Sequence, residues 1–295
     1  MSAGNIQHPT SNIEHPTART RAFIGRWMLG VGGWMLPSLL LLLGGLCLST
    51  LVYAQDKPQD KLLTPHSFER QVTLHADYLL FLPKGYDASA DKRWPLILFL
   101  HGAGERGTNV WQTDFHGPAK YIAQHPDFPF IMVSPQCPPY QTWSAEVLLG
   151  LLDEVCAKYT VDPERVYLTG LSMGGFGTWD LATAYPERFA AAAPICGGGE
   201  IGYVLLAQHG FTTPQTKQAL KGLPVWAFHG GKDNVVPPAE SERMVKALKE
   251  LGAGEVKLTI YPEATHNAWE QTYSNPELYE WMLAHKREAT TDGHR

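Results

Sequence analysis

Cysteine is scarce, four in 295 residues, and no two cysteines stand in C-x-x-C spacing. The 12 histidines include no H-E-x-x-H pattern, so neither a structural nor a catalytic metal is indicated. Nucleotide and flavin fingerprints are missing too, and no cofactor is expected. Basic charge is also short: 24 Lys and Arg stand against 29 Asp and Glu. With 44% hydrophobic and 18% charged residues, nothing points to a disordered or fibrous chain, and the length suits one large core or two small ones.

Charge is wholly absent from Trp27 to Ala54, a 28-residue stretch that includes five consecutive leucines, Leu39 to Leu43. Arg19, Arg21 and Arg26 precede it, the layout of an export signal. Val52-Tyr53-Ala54 ends on the small residue a signal peptidase requires, and cleavage there leaves Gln55 as the new N-terminus. The alternative is an uncleaved anchor, because the run exceeds the roughly 7–15 residues of a usual signal core and can span about 30 Å of hydrocarbon. Either way the arginines stay inside and residues beyond 54 are exported, to the periplasm or the medium. No twin-arginine pair and no lipidation signal at Cys47 is present. Setting residues 1–54 aside removes three basic residues and one acid, Glu14, leaving 21 basic against 28 acidic, net −7. A nucleic-acid partner is therefore not expected. Cys137, Cys156 and Cys196 remain, an odd number that allows at most one disulfide.

Residues 55–64 are polar and read as a linker, 65–288 as one catalytic domain, and 289–295 as a tail. Short, continuous apolar runs mark strands buried on both faces: Leu96 to Leu100, Phe130 to Val133, Val166 to Leu168, Ala191 to Cys196, Val225 to Phe228 and Val256 to Tyr261. Val72 to Leu82 reads as an antiparallel first strand. Between them, Val147, Leu148, Leu151, Leu152, Val155 and Tyr159 share one helical stripe, and Met244, Val245, Leu248 and Leu251 another. The alternation predicts an α/β fold, a mostly parallel central sheet with helices on both faces and no large lid. Gly199 to Gly222 is the one sizeable excursion, readable as a small cap.

Gly170-Leu171-Ser172-Met173-Gly174 is a G-x-S-x-G set between the strand Val166 to Leu168 and a helix opened by Gly175, Phe176 and Trp179. That context makes a nucleophile elbow, in which the serine backbone is strained and flanking glycines leave room for the neighbouring strand and helix. A serine hydroxyl needs an imidazole to take its proton and a carboxylate to orient the imidazole. Phe228-His229-Gly230-Gly231-Lys232-Asp233 follows one strand and Ala264-Thr265-His266 follows the last. Asp233 and His266 therefore emerge at the strand ends where Ser172 emerges, with His229 bracing the acid loop. Asp180 competes for the acid role, but it lies eight residues along the helix from Ser172, about 12 Å away at 1.5 Å per residue. His101-Gly102-Ala103-Gly104 follows Leu100, and the amides of Ala103 and Met173 are assigned to an oxyanion hole.

With these residues in view the chain resembles the α/β-hydrolase superfamily. Within it the similarity is to single-domain secreted carboxylesterases described as predicted peptidases or phospholipase/carboxylesterase-like proteins. The resembling segments are His101 to Gly107, Ser134 to Pro138, Asp162 to Gly175 and Gly230 to Pro237, together with His266. The resemblance implies the same triad and oxyanion residues, and it implies no particular substrate.

Three classes of function follow. The first is a serine hydrolase cleaving carboxylic esters through an acyl-enzyme; the second is a peptidase or amidase using the same triad, where His266 must protonate a poorer leaving group. The third is a non-catalytic binding protein on this fold, which would be expected to have lost one of the four elements. Trp111, Trp143 and Trp269 lie in loops at the active edge. They either stack on the rings of an acetylated or feruloylated carbohydrate or pack loops onto the core.

Overall fold

The computed structural model describes residues 63–287. The chain divides into residues 1–69 and 70–295. Of the first unit only residues 63–69 are described, and they form neither helix nor strand. The apolar run 27–54 and the tail 289–295 lie outside the described residues, as does most of the linker. No helix among the described residues is long and apolar enough to cross a membrane.

Seven strands form one sheet: β1 Tyr78–Phe81, β2 Trp94–Leu100, β3 Ile131–Pro135, β4 Val161–Leu171, β5 Ala191–Ile195, β6 Val225–Gly230 and β7 Val256–Tyr261. Their order is β1-β3-β2-β4-β5-β6-β7. Only β1 runs antiparallel, paired with β3; the other pairs are parallel. The helices are α1 Pro118–Gln124, α2 Ala145–Lys158, α3 Met173–Ala184, α4 Gly202–Gln208, α5 Pro214–Gly222, α6 Ala239–Leu251, α7 Trp269–Ser274 and α8 Pro276–Leu283.

Alternation along β2 divides the core. Leu96, Leu98 and Leu100 pack with the apolar stripes of α2, α3 and α6 on one face. Ile97 and Phe99 pack with Tyr273, Leu278, Tyr279 and Met282 of α7 and α8 on the other. Burying the strands on both faces explains why they appear as unbroken apolar runs. From β2 the chain steps one way to β3 and then back past β2 to β4. The crevice at the carboxyl ends of β2 and β4 is the switch point where open α/β sheets place their ligands.

Three expectations need correction. The first strand spans only Tyr78–Phe81, because its partner β3 offers five residues and the pairing ends at Tyr78 opposite Pro135. β4 starts five residues earlier than the run Val166 to Leu168 suggested. Its pairing with β2 shifts register between Trp94 and Leu96, a bulge that accommodates Pro163. Residues 199–222 form no cap: α4 buries Val204 and Ala207 and α5 buries Leu220 in the core shared with α6. The fold is the expected α/β-hydrolase type.

Candidate active site

Ser172 sits between β4 and α3 with φ 53° and ψ −115°, the left-handed region that costs a non-glycine residue about 1–3 kcal/mol. The surroundings enforce it. A Cβ on Gly174 would stand 1.9 Å from the Leu100 carbonyl oxygen, and one on Gly170 would stand 2.4 Å from that of Gly174. The Ser172 amide donates to the Ile195 carbonyl at 2.9 Å, and the Ser172 carbonyl accepts from the Phe176 amide at 3.0 Å. Crowded backbone on three sides leaves the side chain to project at the sheet edge.

His266 Nε2 lies 2.8 Å from Ser172 Oγ, and His266 Nδ1 lies 2.7 Å from Asp233 Oδ2. Asp233 Oδ1 accepts from the Val235 and Val236 amides, each at 2.9 Å. Burial pushes the Asp233 carboxyl up, but the His266 hydrogen bond and those two amides outweigh it, and the net direction is downward. His229 is fully buried beneath this loop. Its Nε2 lies 2.9 Å from the Val236 carbonyl and 3.3 Å from Asp233 Oδ2. On its other side Nδ1 meets Ser241 Oγ at 2.8 Å, and Ser241 donates to the Gly197 carbonyl.

Ala103 and Met173 are the first residues of a short 3-10 helix and of α3, positions whose amides have no intrahelical acceptor. The loop carrying Ala103 is fixed by His101, which is fully buried. His101 Nε2 accepts from the Cys137 amide at 3.0 Å and Nδ1 donates to the Gly102 carbonyl at 2.7 Å. Burial holds this imidazole below its ordinary pKa, so it braces the loop as a neutral ring.

The three tryptophans separate. Trp269 meets His266 edge-on, ring centroids 5.3 Å apart. Trp143 stands edge-on to His101 at 4.7 Å and packs against the core. Trp111 is 65% exposed on the 3-10 helix Val110–Asp114.

Some neighbours escaped sequence reasoning. The Cys196 thiol lies within 4.8 Å of the ligand atoms of Asp233 and His266, and burial pushes it up to about 12, so it stays a neutral thiol beside the acid. Cys137, Cys156 and Cys196 are all unpaired. His116 Nδ1 contacts Glu270 Oε1 at 3.1 Å, with Nε2 3.7 Å from Glu105 Oε1. Lys120 also pairs with Glu270, at 2.9 Å. No spacing rule joins residues 116 and 270, so the sequence held no signal for this cluster.

A nucleophile elbow at the switch point of a parallel sheet, with an imidazole and carboxylate in line behind the serine, is the architecture of an α/β-hydrolase. The dienelactone hydrolase family model matches residues 142–289. The chain belongs to that family. It is 52% identical over 48 residues to poly(3-hydroxyalkanoate) depolymerase C of Paucimonas lemoignei, covering 16% of this chain and 12% of that protein. Over 194 residues it is 23% identical to a bifunctional acetylxylan esterase/xylanase of Neocallimastix patriciarum, covering 63% of this chain and 26% of that one. The chain thus spans an eighth to a quarter of the length of these two relatives. Among solved structures, a thermostable esterase matches with 34% identity and a TM-score of 0.57, over 71% of this chain and 59% of that one.

Proposed function

We propose that this protein is a serine hydrolase that cleaves carboxylic esters, with Ser172 as nucleophile, His266 as general base and acid, and Asp233 as the orienting carboxylate. The observation that carries this reading is the unbroken line Ser172 Oγ, His266 Nε2, His266 Nδ1, Asp233 Oδ2, with both links below 3 Å. In this mechanism Oγ attacks the ester carbonyl while its proton moves to His266 Nε2. The Nδ1 proton stays on the imidazolium, held by Asp233. Charge on the carbonyl oxygen is met by the Ala103 and Met173 amides. The imidazolium then protonates the leaving alcohol, and a water activated by the same imidazole releases the acid from Ser172.

Acetylated or feruloylated carbohydrate is the substrate class this reading favours, supported by the indole of Trp269 beside His266 and by the similarity to the acetylxylan esterase/xylanase. The test is a screen of the purified chain on p-nitrophenyl esters of increasing length, methyl ferulate, acetylated xylan and a peptide amide. Turnover of the amide alone would overturn the ester assignment. The arginine-flanked run 27–54 supports export. N-terminal sequencing of the exported protein should return Gln55, and an intact start in the membrane fraction would favour an anchor.

A further inference from the structure

A pocket of about 430 Å³ opens between α1 and α7, within the size range of small-molecule sites. Its lining includes Lys120, Tyr121 and Gln124 from α1 and Trp269, Glu270 and Tyr273 from α7. None of Ser172, Asp233 or His266 lines it, yet one wall is shared, since the Trp269 indole also meets the His266 ring at 5.3 Å. The pocket therefore begins one aromatic ring away from the imidazole.

The walls specify a ligand. Trp269 supplies the main aromatic surface; Tyr121 already stacks one ring face on His125 at 3.8 Å, and Tyr273 is buried with its hydroxyl engaged by Thr169 Oγ1 at 2.9 Å, so the tyrosines contribute only ring edges. Lys120 Nζ bonds both oxygens of Glu270, at 2.9 and 3.1 Å, and the Glu270 carboxylate also receives His116. The rim charges are mutually neutralised, so neither an anion nor a cation finds an unpaired counter-charge. What remains is the Trp269 ring bordered by polar groups, including the exposed Gln124 amide. An alkyl chain would strip water from these polar groups without replacing their hydrogen bonds. A neutral ring with an apolar face and a hydroxyl rim satisfies both kinds of wall.

Position adds direction. The alcohol leaving an acyl-enzyme must lie within reach of the imidazole that protonates it, so the leaving group sits on the His266 side of Ser172, where Trp269 stands. We infer that the α1–α7 pocket is a subsite for a neutral sugar ring in the alcohol portion of the substrate. This rests on the ester-hydrolase reading for its catalytic meaning, whereas sugar binding itself does not.

Two variants of exposed α1 residues test it: Gln124→Trp, which fills the pocket, and Lys120→Ala, which removes its rim donor. The full chain and both variants are assayed on acetylated xylo-oligosaccharides and on p-nitrophenyl acetate. In parallel, xylotriose and cellotriose are titrated into Ser172→Ala with and without Gln124→Trp, following tryptophan fluorescence. The ratio of kcat/KM on the acetylated oligosaccharide to that on p-nitrophenyl acetate should fall at least about tenfold in both variants, mainly through KM. Trisaccharide binding should weaken about tenfold with Gln124→Trp. Oligosaccharide turnover with an unchanged ratio would overturn the subsite. If neither ester is hydrolysed, the ester reading has failed and the titration decides alone: weakened trisaccharide binding supports the subsite, while no binding, or binding indifferent to Gln124→Trp, overturns it.

Discussion

The turn between β4 and α3 and the two loops after β6 and β7 meet at one hydroxyl but are held there by different forces. At the turn, nearly all the constraint is steric and local. Main chain from Leu100, Gly174 and Ile195 closes around Ser172, and no charged side chain takes part. The loops are held by directed side-chain hydrogen bonds: Asp233 to the His266 ring, His229 to the Val236 carbonyl and the Ser241 hydroxyl, and Ser241 to the Gly197 carbonyl. Steric confinement fixes a position whatever the pH, whereas hydrogen-bonded carboxylates and imidazoles fix one only while their protons are correctly placed. Ser172 should thus be sensitive to added volume, and Asp233 and His266 to altered protonation.

The largest expected effect comes from removing the atom both regions serve. Ser172→Ala should lower kcat by roughly 10⁶-fold with the fold intact, and a fluorophosphonate probe should no longer label the protein; labelling at another serine would break the assignment. On the loop side, Asp233→Asn should lower kcat by about 10³–10⁴-fold. Asp180→Asn should stay near full activity, because Asp180 accepts the Glu200 amide at 2.6 Å and an asparagine oxygen can do the same. An active Asp233→Asn beside a dead Asp180→Asn would reverse the two roles.

The turn side is sharpened by Gly174→Ala, which drives a methyl into the Leu100 carbonyl. A loss of about 3 kcal/mol in urea unfolding is expected, with little dependence on pH. The loop side should respond to pH instead. kcat/KM should fall toward acid. Because the Asp233 carboxyl is held below its ordinary value, that limb should follow a single proton, and a slope of two in its logarithm would mean that Asp233 titrates as well.

The smallest effect lies away from the site. Hydrogen bonds from Lys257, the Trp281 indole and His285 lower Glu255 from 4.5 to about 2. A depressed carboxyl pKa adds stability above the unfolded value, and that stability is lost as pH falls through the folded one. Glu255→Gln should therefore lower Tm by a few degrees at pH 7, about 2–4 °C per kcal/mol for a chain of this size. The difference from wild type should shrink between pH 4.5 and about 2; a gap that persists at pH 2 would assign the loss to packing.

The elbow was legible in the chain because its determinants are neighbours: glycines two residues either side of Ser172, a β-branched and aromatic strand before, a helix after. Asp233 and His266 were legible for a different reason, since a parallel sheet delivers the residue after each strand to one edge whatever the intervening helices contain. The doubly apolar strands likewise announced a buried parallel sheet. Only the tertiary structure decided that residues 199–222 join the helical layer, that Trp143 braces His101 while Trp269 flanks His266, and that the Cys196 thiol lies beside the acid. It alone set Lys120 and His116 against Glu270, pairs separated by 150 and 154 residues. Such contacts depend on how helices pack over opposite ends of a sheet, and chain spacing carries no trace of that packing.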